Sequence, residues 1–357
     1  KNYDLAIQDC YTALTLDDQT ARLRYNYLIF AKKNYPLAIA KLSTLINEYP
    51  QMDIWHLLRA QLYTAKKDFE NAVNEFKTIF EIIPVNYHSY YLAQRADLFR
   101  EMGSHDWAVK DFTKSLEVDS LNAASYAQRG DSYRLLGKYD LSVADFNKAI
   151  ELEPEEASYY LHRGWVKDEF QKNHEAGLMD YVAAIEIDRN LSYTYLHRGR
   201  LYNTFYKDTL RANSDFRKII ELDTSVGSSS NIRHYAFAAL GQVGKAKSWM
   251  NKILAEYPED GNYYDAACLY SILKSPKESV AYLDTAFQKG YRDFIHIAKD
   301  DDLDNVRSFP EFTALINRWK TKLEKTGIKS AMPAHVEDLQ IVGTFIIPFK
   351  MHPGGTY

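Results

Sequence analysis

One pattern of small and aromatic residues recurs along most of this 357-residue chain. The residue that ends each copy can be followed through eight positions, namely Asp18, Pro50, Pro84, Ser120, Pro154, Arg189, Thr224 and Pro258. The differences between these numbers are 32, 34, 36, 34, 35, 35 and 34, so the period is close to 34 residues. A period of this length is typical of solenoids, in which each unit buries its apolar face by stacking on its neighbours.

Within each copy, positions 8 and 20 carry small residues and positions 11 and 24 carry mostly aromatic ones. The small residues are Ala60, Ala96, Gly130, Gly164, Gly199 and Ala267 at position 8, and Ala38, Ala72, Ala108, Ser142, Gly177, Ala212, Ala246 and Ser279 at position 20. Spacings of three and four residues bring such positions to one face of a helix. Each unit is therefore predicted to be a helix A, a tight turn and a helix B, with aromatic rings filling the space around the close contact.

This pattern resembles the tetratricopeptide repeat. The resemblance implies an all-α fold, a right-handed superhelix of helix pairs, over residues 1–290 in about nine units, the first with only its helix B. Capping helices are predicted at 291–325, where Phe312, Leu315, Ile316, Trp319 and Leu323 form an apolar stripe. Lys167 and Gly177 in the sixth unit, and the segment 227–230 in the eighth, depart from the pattern and predict local irregularity there.

The composition agrees with a helical chain and argues against several classes of function. Gly (15) and Pro (10) are scarce among 357 residues, which disfavours many short strands. The net charge of −4 does not indicate a nucleic-acid or anionic membrane partner. The longest apolar stretch, residues 341–349, is far shorter than the roughly 20 residues of a membrane span. Cys10 and Cys268 are too few for a disulfide framework.

The first residues, KNYDLAIQDCYTAL, look like the second half of a repeat, so the natural N-terminus is expected upstream of Lys1. The bacterial periplasm or cell envelope is weakly favoured over the cytoplasm.

A column of arginines occupies position 7 of five successive units, at Arg59, Arg95, Arg129, Arg163 and Arg198. Position 23 of the same units is acidic, at Glu75, Asp111, Asp145, Asp180 and Asp215. Such matched charges predict an arginine–carboxylate ladder between helices A and B, and the alternative is a column that binds phosphates or carboxylates. Arg233, with Trp249 opposite, is the exception.

In tetratricopeptide proteins helix A lines a concave groove, and the resemblance implies a groove here that binds a protein or peptide. The predicted groove residues are Tyr90, Asp97, Arg100, Asp131, Arg134, His162, Trp165, Asp168, Tyr193, His197, Arg200 and Asn203. The Lys and Asn pattern with which some family members hold acidic peptide C-termini is not reproduced. Trp165 is predicted either to be an exposed hot spot for binding or to pack against a neighbouring helix.

Catalytic, metal and nucleotide motifs are weak or missing in the sequence. His162 and His197 lie one repeat apart without accompanying ligands, and GQVGKAK after Leu240 lacks the spacing of a phosphate-binding loop. The chain itself is therefore predicted to be non-catalytic, with no cofactor and no metal.

The C-terminal tail has a different pattern. Residues 326–338 are predicted to be a linker, and 339–357 an extended strand through which the chain could also form oligomers. The segment IPFKMHPGGTY resembles the first strand of bacterial retropepsin-like aspartic protease domains. The resemblance implies an alternative function, the substrate-recognition arm of a larger protease, although the Asp-Thr-Gly or Asp-Ser-Gly of that family is absent here. A purely structural adaptor is a third hypothesis.

Overall fold

The computed structural model describes residues 34–222, 232–292 and 294–325. These residues form 18 α-helices, three short 3₁₀ or π segments and no β-strand. The first eleven helices are α1 (Tyr35–Glu48), α2 (Asp53–Ala65), α3 (Phe69–Ile82), α4 (His88–Glu101), α5 (His105–Val118), α6 (Ala123–Leu135), α7 (Tyr139–Leu152), α8 (Ala157–Trp165), α9 (His174–Ile187), α10 (Ser192–Thr204) and α11 (Thr209–Leu222). The remaining seven are α12 (Arg233–Ala239), α13 (Val243–Glu256), α14 (Asp260–Ile272), α15 (Pro276–Lys289), α16 (Phe294–Lys299), α17 (Asp304–Arg307) and α18 (Pro310–Lys325).

Successive helices pack as antiparallel pairs. Helix α2 packs on α3, α4 on α5, and so on to α14 on α15, while α1 is the helix B of the second unit. This arrangement confirms the predicted all-α solenoid, a right-handed superhelix of helix pairs. The predicted first unit, segment 227–230 with its predicted irregularity, the predicted linker and the predicted C-terminal strand lie outside the described residues.

Small residues hold the two helices of each pair at close range. A Cβ atom added to Gly130 would lie 3.2 Å from the Cβ of Asp145, and one added to Gly164 would lie 2.9 Å from the Cβ of Asp180. The aromatic residues of position 24 are fully buried beside these contacts, at Phe76, Phe112, Phe146, Tyr181 and Phe216. Close backbone approach and ring packing together account for the pattern seen in the sequence.

The turn from helix A to helix B contains one residue with positive φ in every complete unit of the described chain. These residues are Lys67, Gly103, Gly137, Lys172, Lys207, Gly241 and Lys274, with φ between 55° and 74°. The conformation closes the turn, as in the 2.8 Å bond from the Asp68 N–H to the Tyr63 carbonyl. Glycine adopts it without steric cost, whereas lysine does not. Four lysines are thereby fixed along the edge of the solenoid where helix A turns into helix B.

The sixth unit departs from the regular geometry. Its helix A, α8, ends at Trp165, and residues Val166–Phe170 continue as a π-helical turn. A Cβ atom added to Gly177 would lie 2.7 Å from the Cβ of Asp168, so this wide turn needs glycine at that point. The irregularity predicted in the sixth unit is confirmed.

The C-terminal helices close the array. Phe312, Leu315 and Trp319 of α18 are buried in one hydrophobic core with residues of α14 and α15. Among the helices that the structure describes, none is long and apolar enough to cross a membrane.

Candidate partner-binding groove

The arginine column is a structural ladder. Every arginine donates from helix A to the acidic residue of helix B in its own unit, with the first bond at 2.8 Å from Arg59 to Glu75. The others are bidentate: Arg95 to Asp111 (2.6 and 2.8 Å), Arg129 to Asp145 (2.8 and 2.8 Å), Arg163 to Asp180 (3.0 and 2.5 Å) and Arg198 to Asp215 (3.0 and 2.8 Å). These side chains are engaged in binding helix A to helix B, so the ladder prediction is confirmed.

The exception in the column behaves as expected. The Arg233 guanidinium lies 4.7 Å from the centre of the Trp249 ring, the geometry of a cation–π contact. An aromatic face thus takes the place of the carboxylate in the eighth unit.

A second row of side chains runs across the A helices of the fourth to seventh units. Arg100 of α4 donates to Asp97 (3.3 Å) and to Asp131 of α6 (3.0 Å). Arg134 donates to Asp131 (2.8 Å), and its guanidinium lies 4.2 Å from the centre of the Trp165 ring. The structure therefore brings these predicted groove residues into one contact network.

A pocket of about 220 Å³ opens on this row between α4, α6 and α8. Its lining combines charged and polar groups with an apolar floor and consists of Arg100, Ala124, Ala127, Gln128, Asp131, Phe146, Ser158, Tyr159 and His162. The His162 ring stacks on Phe146, with ring centres 5.9 Å apart. The pocket is large enough for an amino-acid side chain.

Asp131 and His197, two titratable groups of this row, do not change their ionisation near neutral pH. Burial raises the pKa of Asp131, but the guanidinium groups of Arg134 and Arg100 outweigh it and lower that pKa to about 2. Burial, followed by the charges of Arg200 and His162, lowers the pKa of His197 to about 3. Asp131 is therefore ionised and His197 neutral, and the row presents two arginines against carboxylates.

Trp165 does not project into solvent. Its half-buried ring packs against Arg134, His162, Phe170 and His197, with ring centres 5.5 Å apart for His197 and 5.9 Å for Phe170. The expectation of an exposed Trp165 is wrong, and the alternative, packing against neighbouring helices, holds. The apolar ring fills the space between three A helices.

Asp168 is also placed differently from the prediction. Its buried carboxylate contacts His174 Nδ1 at 2.6 Å and accepts from the Tyr181 hydroxyl at 3.3 Å, and both partners belong to α9. The extra residue of the π-helical turn changes the register of this segment, so Asp168 faces the neighbouring helix. Glu169 lies instead within range of the charges of Arg200 and Asp301.

The Arg200 guanidinium is already paired with another residue of the same chain. It donates to Asp302 at 2.9 Å, a residue 102 positions further along that precedes α17. Its guanidinium also lies 5.3 Å from the centre of the Tyr235 ring. In contrast, Tyr90, Tyr193 and Asn203 are exposed, with 55% of Tyr90 and 40% of Tyr193 accessible to solvent. Among the predicted groove residues, the exposed aromatic rings are therefore those of these two tyrosines.

Acidic side chains gather where the C-terminal segment meets Arg200, and the sequence analysis missed them. Tyr264 donates to Asp300 at 2.5 Å. Burial, then the charges of Asp300 and Asp302, raise the pKa of Asp265 to about 7. Burial, then Asp168 and Asp301, likewise raise the pKa of Glu169 to about 7. The run of acids at 300–304 was the available signal, but nothing in the repeat pattern placed it next to Arg200.

No metal site accompanies these acids in the described part of the chain, since no three His, Cys, Asp or Glu side chains are grouped to hold an ion. The arrangement is one of charge pairing and aromatic packing.

Comparison with known proteins agrees with the fold. A family model for the tetratricopeptide repeat matches residues 123–156. A tetratricopeptide repeat protein from Parabacteroides merdae superposes with a TM-score of 0.50 at 16% identity, covering 71% of this chain and 98% of that one. Human IFIT1, solved as a dimer with PPP-AAAA, gives 0.50 at 15% identity over 80% of this chain and 68% of that one. One repeat of the chain thus matches the tetratricopeptide family model, and the described helix pairs have the fold of tetratricopeptide solenoids.

Other matches are weaker. MamA from Desulfovibrio magneticus shares 20% identity over 49% of this chain and 97% of its own, with a TM-score of 0.43. No curated protein matches the sequence. None of these matches supports the resemblance of the tail to aspartic proteases, which concerns residues outside the described part.

Proposed function

We propose that this protein is a non-catalytic scaffold that binds a protein or peptide on the A-helix face of its fourth to seventh units. Tetratricopeptide proteins bind protein partners, and their fold is generally a scaffold without catalytic activity. The observation that carries the proposal is the pair of exposed tyrosines, Tyr90 and Tyr193, at the two ends of a polar row with a pocket of about 220 Å³. Tyrosine is prominent among residues that dominate binding energy.

The charge of the groove favours a polypeptide over a nucleic acid. Carboxylates of Asp97, Asp131, Glu169, Asp265 and Asp302 lie along it, and its three arginines are already paired or stacked. Nucleic-acid affinity depends on cations that neutralise phosphates. We therefore do not expect this chain to bind a ligand like the PPP-AAAA of the human IFIT1 structure.

Site-specific photo-crosslinking tests the proposal. A benzoylphenylalanine at position 90 or 193 is expected to capture a partner, whereas one at Leu210, on helix B and 85% exposed, is not. Once the partner is identified, the double substitution Tyr90→Ala with Tyr193→Ala is expected to weaken its affinity at least tenfold, and Leu210→Ala to leave it unchanged. Capture only from position 210, or unchanged affinity of the double variant, would refute the groove.

The test avoids Trp165 and Arg200 for a structural reason. Both pack within the fold, so replacing them would disturb helix contacts as well as any partner. The two tyrosines are more exposed than either of these residues, and the Tyr90 ring also contacts the neighbouring Tyr91.

A further inference from the structure

The third and ninth units touch although five units lie between them in the chain. The Lys67 ammonium, in the turn between α2 and α3, lies 2.5 Å from the Asp260 carboxylate at the start of α14. It also lies 3.5 Å from the Gly290 carbonyl, just after α15. The two contacts join residues 193 and 223 positions apart. The superhelix therefore meets itself after one turn.

The surroundings of Lys67 suit a cation. The carbonyls at the end of a helix lack partners within that helix and carry the negative end of its dipole, and Gly290 follows the last residue of α15. Asp260 adds a full negative charge. Gly290 has φ of +117°, and a Cβ atom there would lie 3.0 Å from the Lys67 ammonium, so glycine leaves the space that the ammonium needs.

An electrostatic effect also indicates that the same two ends lie near each other. Tyr35, at the start of α1, has its pKa raised by burial and then by the charge of Glu259, the residue before Asp260. The second unit thus also lies beside the start of α14.

Lysine recurs at this turn position, so the residue type alone does not single out Lys67. Its φ of 61° belongs to the left-handed region, where glycine has no steric cost. Lys172, Lys207 and Lys274 hold the equivalent position in other units, and in the described residues none of them has a hydrogen bond across the superhelical turn. Lys67 is distinguished by its partners in the ninth unit.

We propose that Lys67, Asp260 and Gly290 form a salt-sensitive latch that holds the first superhelical turn closed. The Lys67 and Asp260 side chains are 48% and 25% exposed, and ion pairs of this kind are weak and screened by salt. Closed and open forms of the array therefore interconvert. Opening separates the third and ninth units and widens access to the groove between them.

Pulsed electron spin resonance on the full chain measures the closure without any partner, so its outcome is independent of the proposed function. Nitroxides are attached at Glu70→Cys and Gln288→Cys, both exposed, in a Cys10→Ser background with buried Cys268 retained. At low salt a dominant short distance is expected. In Lys67→Gly and in Asp260→Asn the ratio of closed to open population should fall about fivefold, and 1 M NaCl should have the same effect on the parent.

Lys67→Gly is chosen because glycine is favoured at this φ, so the turn itself keeps its conformation. Lys172→Gly makes the identical change in the sixth unit and is the matched control, expected to leave the distances unchanged. An unaltered distance distribution in Lys67→Gly would overturn the latch. An equal shift in Lys172→Gly would overturn it as well, because the effect would then come from the turn.

Discussion

The fifth and sixth units show how the same repeat tolerates an added residue. In the fifth unit Arg129 and Asp145 are 16 positions apart, and in the sixth Arg163 and Asp180 are 17 apart, yet both pairs are bidentate. The sixth unit takes up the additional residue in its π-helical turn. The ion pair keeps helix A in register with helix B, and the irregularity is displaced to the segment between them.

The rearranged unit differs in its charges as well. Lys167 replaces the aromatic residue of position 11 and donates to Asp180 at 2.9 Å, so this carboxylate has two cationic partners. Asp145 of the fifth unit has the single guanidinium of Arg129. The two units therefore differ in backbone geometry and in the number of cations that contact the carboxylate of the ladder. Each difference can be tested separately.

The largest effect is expected from Gly177→Ala. Its Cβ atom would lie 2.7 Å from the Cβ of Asp168 and 3.0 Å from the Gly164 carbonyl, so the π-helical turn must move away from α9. Overpacking of this kind costs about 3 kcal/mol of stability. Urea unfolding followed by circular dichroism measures the loss.

Gly244→Ala is the control for this substitution. Gly244 lies in α13 with no atom within 4 Å of an added Cβ, so alanine should leave stability unchanged or raise it by up to about 1 kcal/mol. If Gly177→Ala behaves like Gly244→Ala, the close approach in the sixth unit is not a constraint.

Arg129→Ala is expected to destabilise the protein by about 2 kcal/mol. It leaves Asp145, whose side chain is 9% exposed, without its cation. Arg163→Ala should cost about half as much because Lys167 remains on Asp180. The difference between the two free energies of unfolding measures the contribution of Lys167. Equal losses would show that Lys167 does not support Asp180, and no loss in Arg129→Ala would remove the structural role of the ladder.

Sequence reasoning predicted the helix pairs, the ladder and the disturbed sixth unit because each depends on residues at fixed spacing within a unit. Small residues at positions 8 and 20 determine how close two helices come, and a matched Arg and Asp in one unit meet by local geometry. The same reasoning predicted that Arg233 would differ, because no acid accompanies it. Repetition made these inferences reliable, since one geometry served several units.

Contacts between distant units could not be predicted in this way. Arg200 meets Asp302, and Lys67 meets Asp260, only because of the accumulated rotation of the superhelix, which no single unit encodes. The register shift that turns Asp168 toward His174 and Tyr181 of α9 depends on where the additional residue is absorbed. The partner-binding role of the groove and the cellular compartment stay predictions.

The smallest expected effect on stability comes from comparing two carboxylates. Asp131 belongs to the regular fifth unit, and Asp265 lies beside the C-terminal segment. Asp131 has a pKa lowered to about 2, chiefly by two guanidinium groups acting against burial, whereas burial and two neighbouring aspartates raise that of Asp265 to about 7. A raised pKa means that the folded protein binds the proton more tightly than the unfolded chain. Stability from Asp265 is therefore present at about pH 4 and is lost as pH rises toward 7.

Asp265→Asn removes this titration and imitates the protonated acid. It should stabilise the protein by about 1 to 2 kcal/mol at pH 8, after allowance for partial exposure, and by clearly less at pH 5. Asp131→Asn should destabilise it by a similar amount at both values, because Asp131 is ionised throughout this range. Urea unfolding of the two variants at pH 5 and pH 8 gives the comparison. If Asp265→Asn stabilises the protein equally at the two pH values, burial and the neighbouring aspartates do not raise the pKa of Asp265. The acidic surroundings described for Asp265 would then be incorrect.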